Sequence, residues 1–180
     1  MALARPRITE EEFLHLPDNG RKYELVDGEL REVPTTIEHD VIGANIVALL
    51  VPHARGRGYV TISQAGYRMQ SCNIRIPNVA YTRKERFPNG KPPKGFGDFA
   101  PDLCIEIISP SEDRLDMARK LKEYFASGAQ LVWHIFPETQ SAFAYTSPAE
   151  YSRLGADDEL EAAGLLPGFK CKLGELFLME

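Results

Sequence analysis

The sequence of 180 residues lacks most of the patterns that identify a compartment. Its three cysteines, Cys72, Cys104 and Cys171, are far apart and form no CxxC pair, so neither a disulfide framework nor a cysteine zinc site is supported. No apolar run approaches the ~18 residues that span a bilayer. The first residues turn acidic before a signal-peptide core develops. We therefore expect a cytoplasmic protein with no membrane partner.

Motifs of familiar catalytic sites are also missing. The absence of HxxxH and HxH pairs leaves histidine-based zinc unsupported. There is no GxxxxGK[ST] segment to grip phosphates and no GxSxG elbow to carry a nucleophilic serine. Any chemistry must therefore come from other residue types.

The net charge is small, but the charged residues are unevenly distributed along the chain. The net charge is −5, from 21 basic and 26 acidic residues. Residues 1–60 hold 7 basic and 10 acidic groups, residues 61–120 hold 10 and 7, and residues 121–180 hold 4 and 9. An acidic protein is not steered to nucleic acid by its overall field, but the basic middle third permits local contact with phosphate.

The hydrophobic pattern predicts one mixed α/β domain over residues 1–180, built around a central sheet. Three helices are predicted: a short one begun by a Thr9–Glu12 capping box, one from Thr36 ended by Pro52 and Gly56, and one capped by Ser111 and stopped by Gly128. A hairpin is predicted to turn at Asp27-Gly28. The other predicted strands are a long one over 59–69, its partner over 74–81 bent at Pro77, a buried strand over 102–109, and two more over 131–136 and 141–146.

Glu106 is the most unusual residue of the chain. It interrupts the apolar run LCIEII, and a carboxylate in such a strand needs a partner or a metal. Strand alternation places Asp102 and Cys104 on its face, so Asp102 and Glu106 are both candidates for one pocket. The alternative is an edge strand on which Glu106 faces water.

Lys120 is the natural counter-charge for Glu106. It lies on the next helix at the margin of an apolar stripe, three residues after Met117 and four before Tyr124. One interpretation turns it inward while its neighbour Glu123 stays in solvent. The other interpretation is a surface pair with Asp116, and the spacing alone does not choose between them.

Glu24 is a second carboxylate between apolar strand residues, in the segment YELVDGEL. Its simplest interpretation is a solvent-facing residue of a half-exposed sheet. Likewise, the simplest interpretation of His39 is a solvated residue in the first turn of the long helix. Carboxylates with a lysine would suit Mg²⁺ or Mn²⁺ and phosphodiester hydrolysis, since hard oxygen ligands hold these ions.

Several segments together resemble a known family. They are KYELVDGEL, the helix carrying His39, RIPNVAY, PDLCIEIISPSEDRLDMARKLKEYFASGAQLVW and LPGFKCKLGELF. Their order is similar to that of a bacterial family of restriction endonucleases of unknown specificity, within the PD-(D/E)XK nuclease superfamily. The resemblance runs from about Thr9 to Phe177, and PDLxxExxSPS…D…K…Y…G is its most specific part.

This resemblance implies a restriction-endonuclease-like fold: a mixed central sheet flanked by helices, with the active site at its splayed edge. It implies that Glu106 is the acidic residue of the (D/E)xK strand. Ile108 stands where the lysine of that motif would be, so the resemblance implies that Lys120 on the following helix supplies it. It also implies that Glu24 completes the site from the first hairpin.

The chain departs from the family pattern at an important position. The family's RxPD segment is RIPN here, so Asn78 stands where a metal-binding aspartate is expected. An amide can ligate through its oxygen but brings no negative charge. Asp102 is the residue we consider able to take over this role. A second departure is in LVWHIFP, where Leu131, Val132 and Phe136 replace the family's usual acidic and aromatic residues.

Two functions follow as hypotheses. In the first, the protein is a Mg²⁺-dependent (or Mn²⁺-dependent) endonuclease that cleaves DNA, with a homodimer as a plausible assembly. Glu106 with Asn78 or Asp102 would hold the ion, Lys120 would act electrostatically and Glu24 would assist. In the second, the protein is a pseudo-nuclease that binds or regulates without turnover.

The polar segment 83–97 is the predicted DNA contact. It carries five basic residues among three prolines and three glycines, and is expected to form a loop or flap too polar for the core. These residues are Arg83, Lys84, Arg86, Lys91 and Lys94. The alternative interpretation is an ordinary solvated loop.

Overall fold

The computed structural model describes residues 7–17, 19–33, 36–162 and 164–179. The helices are α1 (Glu10–Leu14), α2 (Ile37–Ala54) and α3 (Arg114–Ala126), with short 3₁₀ turns at Lys84–Arg86, Pro88–Gly90, Pro137–Thr139 and Leu173–Phe177. None of the helices in these ranges is long and apolar enough to cross a bilayer. The prediction of one domain over 1–180 includes residues 1–6, 18, 34, 35, 163 and 180, which lie outside the described residues.

Twelve strands form three sheets in the described ranges. They are β1 (Tyr23–Val26), β2 (Glu29–Glu32), β3 (Gly58–Ile62), β4 (Tyr67–Arg68), β5 (Ile74–Arg75), β6 (Val79–Arg83), β7 (Leu103–Ile107), β8 (Leu131–Phe136), β9 (Ser141–Tyr145), β10 (Tyr151–Leu154), β11 (Glu159–Glu161) and β12 (Lys170–Lys172). The orders are β10-β9-β8-β7-β6-β3 in the large sheet, β2-β1-β5-β4 in the small sheet and β11-β12 in the third.

The large sheet is mixed, which confirms the predicted fold class. β7 and β8 pair in parallel, with Glu106 opposite His134, and the other neighbours in this sheet are antiparallel. Parallel neighbours need a crossover connection, and α3 provides it between β7 and β8. All five residues of β7 are buried, as predicted for an inner strand.

Helices cover the two faces of β7. On one face Ile42, Ile46 and Leu50 of α2 pack in one apolar cluster with Ile105 and Ile107. On the other face Leu121 and Tyr124 of α3 pack in a second cluster with Cys104. The side chain of Asn45 on α2 also donates to the backbone oxygens of residues 176 and 178, which holds the carboxyl-terminal segment against α2. The face that carries Glu106 is therefore the α3 face.

The first hairpin forms as predicted. Asp27 and Gly28 both have positive φ, 54° and 78°, as a two-residue turn of type I′ requires, and Tyr23 pairs with Glu32 across the strands. The capping box of Thr9 and Glu12 is also confirmed. The hairpin pairs through Leu25 with Ile74 of β5, so it belongs to the small sheet.

Two predicted strands are wrong in extent. The strand predicted over 59–69 ends at Ile62, where a turn at Ser63 leads into β4 of the other sheet. The strand predicted over 74–81 also divides, at Pro77, between β5 in the small sheet and β6 in the large one. Continuous β-forming sequence does not reveal that the chain changes sheet, because both halves satisfy the same local preference.

Helix ends are shifted by smaller amounts. Asp113, and not Ser111, caps α3, since its carboxylate accepts the N–H of Leu115 at 2.8 Å. Ser111 instead contacts the hydroxyl of Ser109. Pro52 lies within the last turn of α2, which ends at Ala54 before Gly56 adopts a φ of 76°.

Candidate active site

Glu106 lies on β7 with its side chain directed under α3. It is only 5% exposed, so the edge-strand interpretation is wrong. The hydroxyl of Tyr124 donates to its Oε1 at 2.5 Å, and the Nζ of Lys120 lies 2.9 Å from the same oxygen. Burial of this carboxylate is tolerated because it has both a donor and a counter-charge.

Lys120 turns inward and contacts two carboxylates. Its Nζ lies 2.9 Å from an oxygen of Glu106 and 2.9 Å from Oε1 of Glu24. Burial tends to lower the pKa of this amine, but the charges of Glu106 and Glu24 outweigh burial and raise the pKa above its usual value. The surface interpretation is wrong, because Asp116 pairs with Arg31 and Arg75 instead.

Glu24 reaches the site from β1. It is 3% exposed, so it does not face solvent as its simplest interpretation held. Its carboxylate accepts the N–H of Ile76 and pairs with Arg75, both at 2.9 Å. Burial alone would raise its pKa, but the charges of Lys120 and Arg75 lower the pKa of Glu24 to about 2.

Arg75 is a site residue that the sequence reasoning missed. It is fully buried and bridges Glu24, at 2.9 Å, and Glu123, at 2.6 Å. Glu123, expected in solvent, is therefore buried. A signal was present: Arg75 stands between two isoleucines, the same charge-in-apolar-run pattern that identified Glu106. The hydroxyl of Tyr124 was missed because its helix stripe position indicated only core packing.

Asn78 lies just before β6 and borders the same cleft as Glu106. Its side-chain oxygen accepts the N–H of Ile107 at 2.9 Å. A cavity of about 210 Å³ opens here. Its lining includes Glu24, His39, Asn78, Glu106, Ser109 and Lys120. Four predicted catalytic positions, at 24, 78, 106 and 120, thus meet at one cleft.

Asp102 does not reach this cleft. It precedes β7, four residues from Glu106, which corresponds to about 13 Å along a strand. Its buried carboxylate accepts bonds from the backbone and side chain of Arg83, at 2.9 and 3.1 Å, and from Arg86 and Gln130, at 3.3 and 3.1 Å. The expectation that Asp102 replaces the lost metal ligand is corrected, because strand alternation fixes the face of a side chain but not its distance along the strand.

The basic segment 83–97 is anchored more firmly than predicted. Arg83 and Arg86 are paired with Asp102, and the guanidinium of Arg86 lies 4.4 Å from the ring centre of Phe99. Phe87 is buried against Tyr59, so the segment is not too polar for the core. Of the five predicted DNA contacts, the exposed side chains are Lys84, Lys91 and Lys94.

Two further basic residues lie near the cleft. His39 lines it and is buried, not solvated, and burial lowers its pKa. The Nζ of Lys22 is buried and has no hydrogen-bond partner among the described residues. Its pKa is lowered because burial outweighs the attraction of Glu106. Neither residue was predicted to belong to the site.

The oxygen ligands for a divalent ion are few. Within the described ranges, no group of three or more acidic, histidine or cysteine side chains is arranged to hold a metal. Tyr124 and Lys120 both contact Oε1 of Glu106, which leaves Oε2 for a ligand, and the oxygen of Asn78 already accepts the bond from Ile107. Mg²⁺ typically uses one or two carboxylates together with water and substrate phosphate. The residues therefore fit a weak site that needs the substrate to complete it.

A glutamate on an inner strand, a lysine on the next helix and a glutamate from the first hairpin, gathered at a cleft of a mixed sheet, define a restriction-endonuclease-like domain. Residues 10–174 match the Uma2 family, described as "Putative restriction endonuclease", and the chain belongs to this family. This confirms the family resemblance of the sequence.

The solved structures that match this chain include a crystal structure described as "a putative nuclease belonging to DUF820 from Anabaena variabilis". It is 22% identical and shares the fold, with a TM-score of 0.82 over 94% of this chain and 97% of that chain. No curated protein matches the sequence.

Proposed function

We propose that this protein is a metal-dependent endonuclease that hydrolyses DNA phosphodiester bonds. The family and the fold support a nuclease at the coarse level. The observation that carries the proposal is the position of Lys120, whose Nζ lies 2.9 Å from Glu106 beside an open cleft. Such an ammonium group can stabilise the negative charge that develops on phosphate oxygens during hydrolysis.

Glu106 and Asn78 are the residues that would hold the ion, either Mg²⁺ or Mn²⁺. When bound, the ion would polarise the phosphate and acidify water. The raised pKa of Lys120 keeps the proton on Nζ at neutral pH, so this residue serves as a fixed cation and not as a general base. Tyr124 holds the Glu106 carboxylate in place through its hydroxyl.

Glu24 is a positioning residue in this scheme. With a pKa of about 2 it is a carboxylate at neutral pH, and it holds Lys120 at 2.9 Å. Arg75 in turn fixes Glu24. The exposed amines of Lys84, Lys91 and Lys94 would contact the DNA backbone without reading its sequence. A homodimer, which allows both strands to be cut, and a cytoplasmic location are part of the proposal.

The direct test is cleavage of supercoiled plasmid by purified protein with Mg²⁺ or Mn²⁺. We expect nicked and linear products from the wild type, none from Glu106→Ala, and wild-type cleavage from Lys122→Ala, which removes an exposed amine of the same helix. Equal cleavage by Glu106→Ala and the wild type would indicate a contaminant and overturn the assignment.

A binding module without turnover is the second candidate. It is favoured by one observation: the oxygen of Asn78 is already engaged by Ile107, so the position contributes neither charge nor an unused carboxylate oxygen. This candidate predicts retention of DNA in EDTA, measured by gel shift, with no cleavage by the wild type in either metal. Cleavage that depends on Glu106 would exclude it.

A further inference from the structure

A row of side chains connects Glu106 to the edge of the large sheet. Glu106 of β7 lies opposite His134 of β8, His134 lies opposite Phe143 of β9, and Phe143 lies opposite Arg153 of β10. Side chains opposite one another in a sheet share a face. With strands about 4.8 Å apart, the row spans about 14 Å from Glu106 to Arg153.

The part of this face that lies on β9 and β10 is aromatic. Val132, Tyr145 and Tyr151 form the neighbouring row. The rings of Phe143 and Tyr151 have centres 5.0 Å apart, and those of Tyr145 and Tyr151 are 5.1 Å apart. Tyr151 is 54% exposed. The rings thus form one continuous and partly open surface.

Phe143, Tyr145 and Arg153 of this face line a groove of about 540 Å³. The exposed ring of Tyr151 lies beside the groove, with its centre 5.0 Å from that of Phe143. Ser109, Glu112 and Met117 border both cavities, so the groove and the cleft of Glu106 are direct neighbours. A ligand that lies along the groove would contact the residues at the margin of the cleft. The groove is therefore placed to receive part of whatever enters the active site.

Two arginines flank the groove, Arg114 and Arg153. Within the described residues neither guanidinium group has an ion pair or a hydrogen bond, whereas those of Arg75, Arg83 and Arg119 are each paired with a carboxylate. Glu112 and Glu138 also border the groove, so its formal charge is balanced. Balanced charge with open rings suits the faces of bases better than a bare track of phosphates.

We propose that this groove stacks the unpaired bases of single-stranded DNA and directs that strand to Glu106, an inference that rests on the proposed function. Aromatic side chains bind bases through their flat faces, and arginines add contacts to the rings and the backbone. A duplex conceals these faces and presents only base edges in its grooves. The substrate class is therefore single-stranded DNA or a single-stranded segment next to a duplex.

The test is binding measured in EDTA, where turnover is absent, by fluorescence anisotropy of a labelled oligonucleotide. We expect the single strand to bind at least about tenfold more tightly than its duplex. We expect Tyr151→Ala and Tyr151→Leu each to weaken single-strand binding by about 5- to 100-fold, while Tyr151→Phe retains it. The leucine variant separates stacking from simple apolar contact, because it keeps an apolar side chain without a ring.

Equal binding of duplex and single strand, or an unchanged affinity of Tyr151→Leu, would overturn the inference. So would a wild-type dimer in sedimentation that Tyr151→Ala dissociates without any change in single-strand affinity, since a second copy would then occupy the face. Cleavage assays keep the two proposals apart. Metal-dependent cutting without strand preference would support the proposed nuclease function and contradict the single-strand groove. Preferential binding of single strands without cutting would support the groove and contradict the nuclease function.

Discussion

The side-chain oxygen of Asn78 accepts a hydrogen bond from the backbone N–H of Ile107, the residue directly after Glu106, at 2.9 Å. This bond ties the entrance of β6 to the end of β7 and occupies one of the two lone pairs of the amide oxygen, the atom through which an amide can bind a metal. A carboxylate at the same place could accept the same bond and still offer a second, charged oxygen. Asn78 thus preserves this bond between β6 and β7 without supplying a charged oxygen to the cleft.

Asn78→Asp is accordingly expected to strengthen Mn²⁺ binding by tenfold or more, since a charged ligand replaces a neutral one. A tenfold change corresponds to about 1.4 kcal/mol of binding free energy. Isothermal calorimetry without DNA measures the change. Asn89→Asp, which adds the same charge on the exposed segment 83–97, is the control and should bind as the wild type does. If both variants gain equally, the effect is one of overall charge and not of ligation.

Lys120→Met should destabilise the protein by about 3–5 kcal/mol, because the buried carboxylates of Glu24 and Glu106 lose a shared cation. Urea unfolding at neutral pH measures the free energy of unfolding. Lys122→Met, on nearly the opposite side of α3 and exposed, should cost less than about 0.5 kcal/mol. A similar loss in the two variants would show that Lys120 does not hold the cluster together.

Tyr124→Phe should lower stability by about 1.5–3 kcal/mol, since a hydroxyl bonded to a carboxylate at 2.5 Å is removed. Tyr81→Phe is a matched control. Its hydroxyl is also buried but has no partner among the described residues, so its removal should cost little. Thermal or urea unfolding compares the pair. The expectation would be contradicted if Tyr81→Phe were the more damaging substitution.

His134 should make the fold sensitive to mild acid. Burial, together with the charge of Lys120, lowers its pKa from 6.5 to about 4. As pH falls, the unfolded chain therefore binds the proton before the folded chain does. The contribution of neutral His134 to the free energy of unfolding is complete above pH 6.5 and is lost towards pH 4. The loss reaches about 3 kcal/mol. Glu24 acts at lower pH. Because its pKa is lowered from 4.5 to about 2, its contribution to the free energy of unfolding is lost as pH falls through this range.

Urea unfolding across this range checks the assignment. His134→Leu should show a flatter dependence between about pH 6.5 and pH 4. His15→Gln, which alters an exposed histidine, should follow the wild type. If His134→Leu keeps the full slope, the acid sensitivity arises elsewhere.

Asp102→Asn should destabilise the protein by about 1–3 kcal/mol and leave Mn²⁺ affinity unchanged, because its carboxylate serves Arg83 and Arg86 and not the cleft. Trypsin should then cleave the segment 83–97 faster. Glu106→Gln provides the contrast and should lose Mn²⁺ binding. A loss of metal affinity in Asp102→Asn comparable to that in Glu106→Gln would restore Asp102 as a ligand.

Features that depend on neighbouring residues were predictable from the sequence. The hairpin at Asp27-Gly28 follows from the backbone preferences of two adjacent residues. Glu106 could be identified because a carboxylate within an apolar strand must find a partner. Lys120 was predictable as a candidate by its helical spacing, and the family resemblance favoured it. For the hairpin and Glu106 the decisive information lies within a few residues, whereas Lys120 needed the resemblance as well.

Features that depend on distant partners were not predictable. Arg75 and Glu123 are 48 positions apart in the chain, and no local pattern in either segment indicates that the two side chains pair. Asp102 shows the same difficulty in reverse: alternation placed it on the face of Glu106, but its arginine partners determine its role. The change of sheet at Ile62 and at Pro77 likewise depends on tertiary pairing.

The division of the chain into two sheets has a consequence for folding. Glu24 and Arg75 belong to the small sheet, whereas Glu106 belongs to the large one and Lys120 to the helix between β7 and β8. A chain that had formed only the large sheet would hold its lysine against a single carboxylate, with nothing to fix the amine in orientation. The complete cluster around Lys120 therefore exists only after both sheets have docked, and the hydrolysis proposed above would be deferred until that step.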